Sequence, residues 1–184
     1  YLWPPRPEQA IPPSAIPLYE KNGWIAQVTK NGTCTVIFTD GEQVIYKTRH
    51  NEDHKAWTPK PEHEEVFKSF ASKGKWCVLE AELLHSKGPG IKDTLYVFDL
   101  LVLDGEYLID KTLAHRLNKL DERFHDTSNT EWGSAPDYNQ ITDKVWLATE
   151  YWVGDNFSDV YDNLTNPEDE GLVFKNPNAT LKAC

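Results

Sequence analysis

Five short segments carry side chains that could do chemistry. Gln27-Val28-Thr29-Lys30-Asn31-Gly32 sets a carboxamide, a hydroxyl and an ammonium just before an Asn-Gly turn signal. Thr48-Arg49-His50-Asn51 offers a guanidinium fork, whose paired N–H groups match phosphate oxygens; the competing reading is a surface arginine in a polar turn. Glu80 and Glu82 flank Ala81. On an extended backbone they share a face, so they form either a carboxylate pair for a ligand or a solvated strand face. Phe98 stands in an apolar strand pattern, available for stacking or simply for the core. Glu170 and Lys175 bracket Gly-Leu-Val-Phe; on a straight strand they point to opposite faces, so serving one site needs a bend.

Other chemistries are excluded. Cys34, Cys77 and Cys184 give neither a CxxC zinc pattern nor a disulfide framework. His50, His54 and His63 are unevenly spaced in polar sequence, which does not suit zinc. Lys87-Gly88-Pro89-Gly90 lacks the Lys-Ser/Thr that completes a phosphate-binding loop, so it reads as a turn.

The elements that must position these residues follow from periodicity and turn chemistry. Residues 1–17 hold six of the twelve prolines and read as an extended surface arm. Residues 24–28, 34–38 and 44–46 read as a three-strand meander, with hairpin turns at Asn31-Gly32 and Asp40-Gly41. A helix is expected over 62–73, strands over 76–84 and 95–103, and a helix over 113–124 with Leu113, Leu117 and Leu120 at helical spacing. A loop over 125–140, a strand over 145–152, a short helix over 157–164 and a last strand over 171–175 complete the reading. The class is α+β with antiparallel-leaning sheets.

Composition bounds the rest. With 184 residues, 39% hydrophobic and 12% aromatic, the chain can bury a core and is not a disordered or collagenous chain. No apolar run approaches the roughly 18 residues of a membrane span. Residues 121–170 hold 13 acidic and 2 basic residues, a local net charge of −11 within a total of −10, so the remainder sums to +1. The acid is confined to one stretch, which leaves room for a nucleic-acid-facing surface elsewhere. Cysteine usage points to a reducing compartment, cytoplasmic or nuclear. Met is absent even at position 1, as expected of a fragment or processed product.

In this order and spacing, the segments Gln27–Gly32, Arg49, Leu79-Glu80-Ala81-Glu82-Leu83, Tyr96-Val97-Phe98-Asp99 and Glu170-Gly171-Leu172-Val173-Phe174-Lys175 resemble the covalent nucleotidyltransferases: ATP-dependent DNA and RNA ligases, with mRNA-capping guanylyltransferases as relatives. The resemblance spans about residues 15–182. It implies a nucleotidyltransferase core (ATP-grasp-like ligase adenylation fold) over 18–184, with twisted antiparallel sheets flanked by helices. It implies ATP and Mg²⁺ as cofactors, a monomer, and DNA or RNA with 5′-phosphate ends as partner. By the same resemblance Arg49 contacts phosphate, Glu82 the ribose or a metal-bound water, Phe98 the purine, Glu170 the metal and Lys175 phosphate, with Glu80 the rival of Glu82. Gln27 with Asn31-Gly32 favours a ligase over a capping enzyme. Compact ligases of this kind suit a virus or phage. The family's fifth motif and a following OB-fold domain are not found before Cys184, so a C-terminally truncated core is expected; Lys182 resembles the lysine preceding that motif.

One departure decides the expected activity. The family's first motif is Lys-x-Asp/Asn-Gly, whose lysine forms the lysyl-nucleotide. Aligned on Asn31-Gly32, this chain has Thr29 in the lysine slot and Lys30 one residue late. Three explanations stay open: an inactivating change, natural or introduced; Lys30 acting through a local shift; and a different alignment. Neighbouring side chains alternate on a strand, so Lys30 is expected to face away from a pocket that Thr29 faces. Cys34 stands where ligases often place arginine.

Overall fold

The computed structural model describes residues 9–85, 90–128, 133–134 and 137–181. Its centre is a pair of long strands, β4 (Cys77–Leu84) and β5 (Thr94–Leu103), almost wholly buried along both faces. Near-continuous apolar runs are what such two-sided burial requires. Around them an eight-stranded sheet runs in the order β3 (Val44–Thr48), β2 (Thr33–Thr39), β4, β5, β9 (Val145–Ala148), β8 (Tyr138–Gln140), β7 (Gly133–Ser134), with β6 (Glu106–Tyr107) also on β5. All neighbours are antiparallel except β5 and β9. A parallel pair needs a crossover, and α3 (Leu113–Thr127) supplies it.

The helix α3 starts at Thr112, whose hydroxyl accepts the His115 N–H and satisfies a free donor of the first turn. Leu113, Leu117, Leu120 and Phe124 face the sheet in the main core, alongside Phe67 and Phe70 of α2 (Pro61–Phe70). Each such side chain contributes about 1.5–3 kcal/mol by leaving water. His63, in the first turn of α2, is fully buried; its Nδ1 accepts the Lys60 N–H.

The expected meander is corrected. The strands β2 and β3 form a hairpin, but β1 (Ile25–Lys30) does not pair with β2. It pairs instead with the last strand, β10 (Asp169–Lys175), as a separate two-stranded ribbon. Asn31-Gly32 is therefore a crossing between sheets rather than a hairpin turn. A Cβ on Gly32 would lie 2.3 Å from the Leu83 carbonyl oxygen, so close backbone approach is what demands glycine there.

Further boundaries also differ. The proline-rich segment is not an extended arm throughout: Pro13–Ala15 form a 3₁₀ turn leading into α1 (Ile16–Lys21), which buries Ile16. Proline is tolerated in a first helical turn because its missing N–H has no partner to lose. The expected helix over 62–73 stops at Phe70, and β9 stops at Ala148, beyond which Tyr151 bridges to Ala26 of the ribbon. The stretch over 125–140 is not only loop, since α3 runs on to Thr127 and β7 and β8 follow. The short helix α4 (Phe157–Asp162) ends two residues earlier than expected. No helix among the described residues is long and apolar enough to cross a membrane.

Candidate nucleotide site

A cleft of about 1070 Å³ lies where the ribbon meets the main sheet, lined by β1 and β10 on one side and by β2, β4 and β5 on the other. Strand alternation sorts the β1 side chains into two sets. Gln27 and Thr29 share one face with Lys175; Val28 and Lys30 share the other with Leu172 and Asp169.

On the first face three of the candidate residues meet. The Lys175 ammonium donates to Gln27 Oε1 at 2.6 Å and lies 4.9 Å from the centre of the Phe98 ring. Gln27 Nε2 in turn donates to the Phe98 carbonyl at 3.4 Å. Burial pulls the Lys175 pKa below the ordinary lysine value, against the nearby charges of Asp99 and Glu80. Thr29 stands next along the strand, its hydroxyl donating to the Gly171 carbonyl at 3.2 Å. Beneath them lie the carboxylates of β4 and β5. Glu80 is 1% exposed, and burial together with the charge of Asp99 across the strand pair raises its pKa to about 8. Asp99 is held by the Arg116 guanidinium, through Nε and Nη2 both at 3.1 Å. Glu82 Oε1 accepts the Gly32 N–H at 3.1 Å. Cys34 lies against Glu80 and Arg49, its thiol pushed up to about 12 mainly by burial.

Glu170 and Lys175 both line the cleft, and the bend they need is present. The β1–β10 register slips between Thr29 and Lys30, where Gly171 opposes Thr29 and Asp169 opposes Lys30, leaving Glu170 as the extra residue. A bulge re-aims a side chain in this way, and Glu170 ends exposed at the rim.

Lys30 is on the other face. Its side chain is fully buried, bonded to Asp137 and to Asp169 Oδ1 (2.6 Å), with Glu168 Oε1 at 3.8 Å. Burial alone would lower its pKa, but the bonds and charges of Asp137 and Asp169 outweigh that and hold it raised. A fixed ammonium has no lone pair with which to attack a phosphate.

Sequence reasoning missed Asp99 and Arg116 as a pair, and the Asp137 and Glu168 partners of Lys30. A signal for Arg116 existed: it occupies the apolar stripe of α3 between Leu113 and Leu120, where a charge needs a buried partner. Asp137 carries no local mark within its acidic stretch. Lys182 lies outside the described residues. Among the described residues no group of three or more His, Cys, Asp or Glu is arranged to hold a metal ion.

A model of the ATP dependent DNA ligase domain matches residues 86–183, just over half of the chain. The chain belongs to this ATP-dependent DNA ligase domain family. The match carries Phe98, Glu170 and Lys175, while Gln27, Thr29, Arg49 and Glu82 fall outside it. Solved structures give the same fold. The ligase domain of M. tuberculosis LigD superposes with a TM-score of 0.60 at 17% identity, covering 91% of this chain and 53% of that one. A mycobacterial DNA ligase D complexed with ATP and MES gives 0.59 at 17%, covering 89% and 51%. A Lig E DNA ligase gives 0.51 at 15%, covering 88% and 57%. This ligase-family chain thus spans about half the length of those ligases. No curated protein matched.

Proposed function

We propose that this chain is the adenylation core of an ATP-dependent DNA ligase, and that it binds ATP without becoming nucleotidylated because position 29 is threonine. The observation that carries the reading is the face shared by Gln27, Thr29 and Lys175 beside Phe98. A base can stack at Phe98, and the ammonium of Lys175, desolvated by its surroundings, suits a phosphate oxygen.

In the lysine-bearing form of such a site, the amine attacks the α-phosphate, its P–N bond forms as pyrophosphate leaves, and AMP then passes to a 5′-phosphate. A 3′-hydroxyl displaces AMP as the strands join. Here the Thr29 hydroxyl donates to the Gly171 carbonyl and supplies no amine, so the first bond does not form. Arg49 lines the cleft wall, and a guanidinium there suits phosphate oxygens. Glu82 and Glu170 offer oxygen ligands of the kind Mg²⁺ takes when nucleotide phosphates and water complete its shell, where the ion would offset phosphate charge. DNA with 5′-phosphate ends is the polymer partner in this reading.

Thr29 itself supports a second reading, in which the same fold serves as a non-catalytic nucleotide-binding module. Intact-mass measurement after incubation with Mg²⁺ and either ATP or GTP separates the two, run on the chain and on Thr29→Lys. An AMP adduct only on Thr29→Lys supports the ligase reading. A GMP adduct points to capping chemistry. An adduct on the unaltered chain overturns the assignment of position 29, and none on either leaves the binding module.

A further inference from the structure

Among the described residues the ribbon shares no hydrogen-bonded ladder with the main sheet, yet position 29 must sit at a fixed place relative to Phe98 and Arg49 if the cleft is to act. Besides the bond from Gln27 Nε2 to the Phe98 carbonyl, two joints reach the far face of β1. Tyr96 Oη donates to the Val28 carbonyl at 2.7 Å, and Lys30 reaches across to Asp137. Asp137 immediately precedes β8 of the main sheet, whereas Asp169 opens the ribbon's own β10 and Glu168 immediately precedes it. The Lys30 ammonium is therefore the point where first strand, last strand and main sheet meet. The rings of Tyr96 and Tyr138 close over it, with Nζ 5.4 and 5.5 Å from their centres, and Tyr138 is stacked on Trp146 of β9.

An apolar side chain at this position would fill the space but would accept several ribbon orientations. An ammonium with three N–H groups accepts only those that satisfy its carboxylates, and a buried ionic group can set geometry in this way at a cost in stability. We propose that Lys30 is a positioning residue: through Asp137 and Asp169 it fixes the ribbon so that position 29 faces the nucleotide, and it is not itself the nucleophile. This rests on the ligase reading above. It assigns the adjacent lysine the task of aiming its neighbour.

The test compares Lys30→Met and Lys30→Arg, each in the chain as it stands and in Thr29→Lys. In the chain as it stands, amide hydrogen exchange over 25–31 and 169–175 rises about tenfold or more in Lys30→Met, while β4 and β5 keep their protection. Lys30→Arg restores most of it. In Thr29→Lys, Lys30→Met slows single-turnover AMP-adduct formation by about tenfold or more, as a small misplacement of a reacting group does. The ATP concentration for half-saturation stays the same, and Lys30→Arg recovers the rate. Unchanged exchange in a folded Lys30→Met overturns the proposal. So does a rate loss that only follows the folded fraction, or one that arginine does not recover. If Lys30→Met does not fold, Asp137→Asn decides by the same two readouts. If Thr29→Lys alone forms no adduct, the ligase reading has failed, and hydrogen exchange still decides whether Lys30 fixes the ribbon.

Discussion

Replacing Arg116 by Met tests the floor of the cleft most directly. The guanidinium is 4% exposed and Asp99 2% as side chains, joined by two bonds of 3.1 Å; a third donor reaches the Lys111 carbonyl at 3.3 Å. Met fills most of the same volume, so the cavity contribution is small and the loss is electrostatic. Asp99 keeps the Leu100 N–H at 2.8 Å, but it is left buried opposite Glu80, with the Lys175 charge nearby. Removing one partner of a buried pair costs about 3–5 kcal/mol. With an unfolding entropy near 2.1 cal/mol/K per residue, roughly 0.4 kcal/mol/K for a chain of this length, Tm should fall by about 8–13 °C. Scanning calorimetry reads this, with the double variant Arg116→Met/Asp99→Asn alongside. Asparagine keeps an oxygen for the Leu100 N–H without the orphaned charge, so the double variant should regain about half of the loss. A fall of under about 3 °C, or losses that simply add in the double variant, would show that the pair does not hold the floor.

Two further substitutions probe neighbouring features. Gly32→Ala places a methyl 2.3 Å from the Leu83 carbonyl oxygen and 3.0 Å from Glu82 Cγ, so backbone must shift. Denaturant titration should show a loss of about 3 kcal/mol, at the upper end of overpacking costs, and retention of full stability would refute the close approach. Glu150 shares a hydrogen bond with Asp121, and burial followed by the Asp121 charge raises its pKa from 4.5 to about 8. The fold thus favours its protonated form: this stabilisation is complete below about pH 4.5 and is lost as pH rises to about 8, at up to about 1.4 kcal/mol per pH unit. Glu80 titrates across the same window, so Glu150→Gln should shallow the decline of Tm between pH 5 and 8 without flattening it. Parallel curves for parent and variant would count against the pair.

What could be read from the residues, and what could not, divides along sequence distance. The strands β4 and β5 and the helix α3 were legible because apolar runs and helical spacing are local signals. The partnership of Ile25 with Lys175 is not local, and Asn31-Gly32 imitates a hairpin turn, which points β1 to the wrong neighbour. The two faces of β1 were legible from alternation alone, which set Thr29 and Lys30 apart before any contact was known. The carboxylates around Lys30 were not: Asp137 is one of 13 acidic residues in its stretch, and nothing in its neighbours marks it. The bulge at Glu170 depends on the register with β1, which no property of β10 by itself reveals.

The ribbon also dictates when the cleft can exist. Its strands are far apart in sequence, Ile25 lying against Lys175, so closing that loop costs an entropy of about 4 kcal/mol. The ribbon wall of the site cannot close before Lys175 has left the ribosome. Until then the main sheet must hold β1's place open with its apolar residues unpaired, the kind of delayed long-range pairing that slows folding and exposes a chain to misassembly. A ligand for the cleft would therefore act on the last folding step, stabilising the closed ribbon against an otherwise assembled molecule.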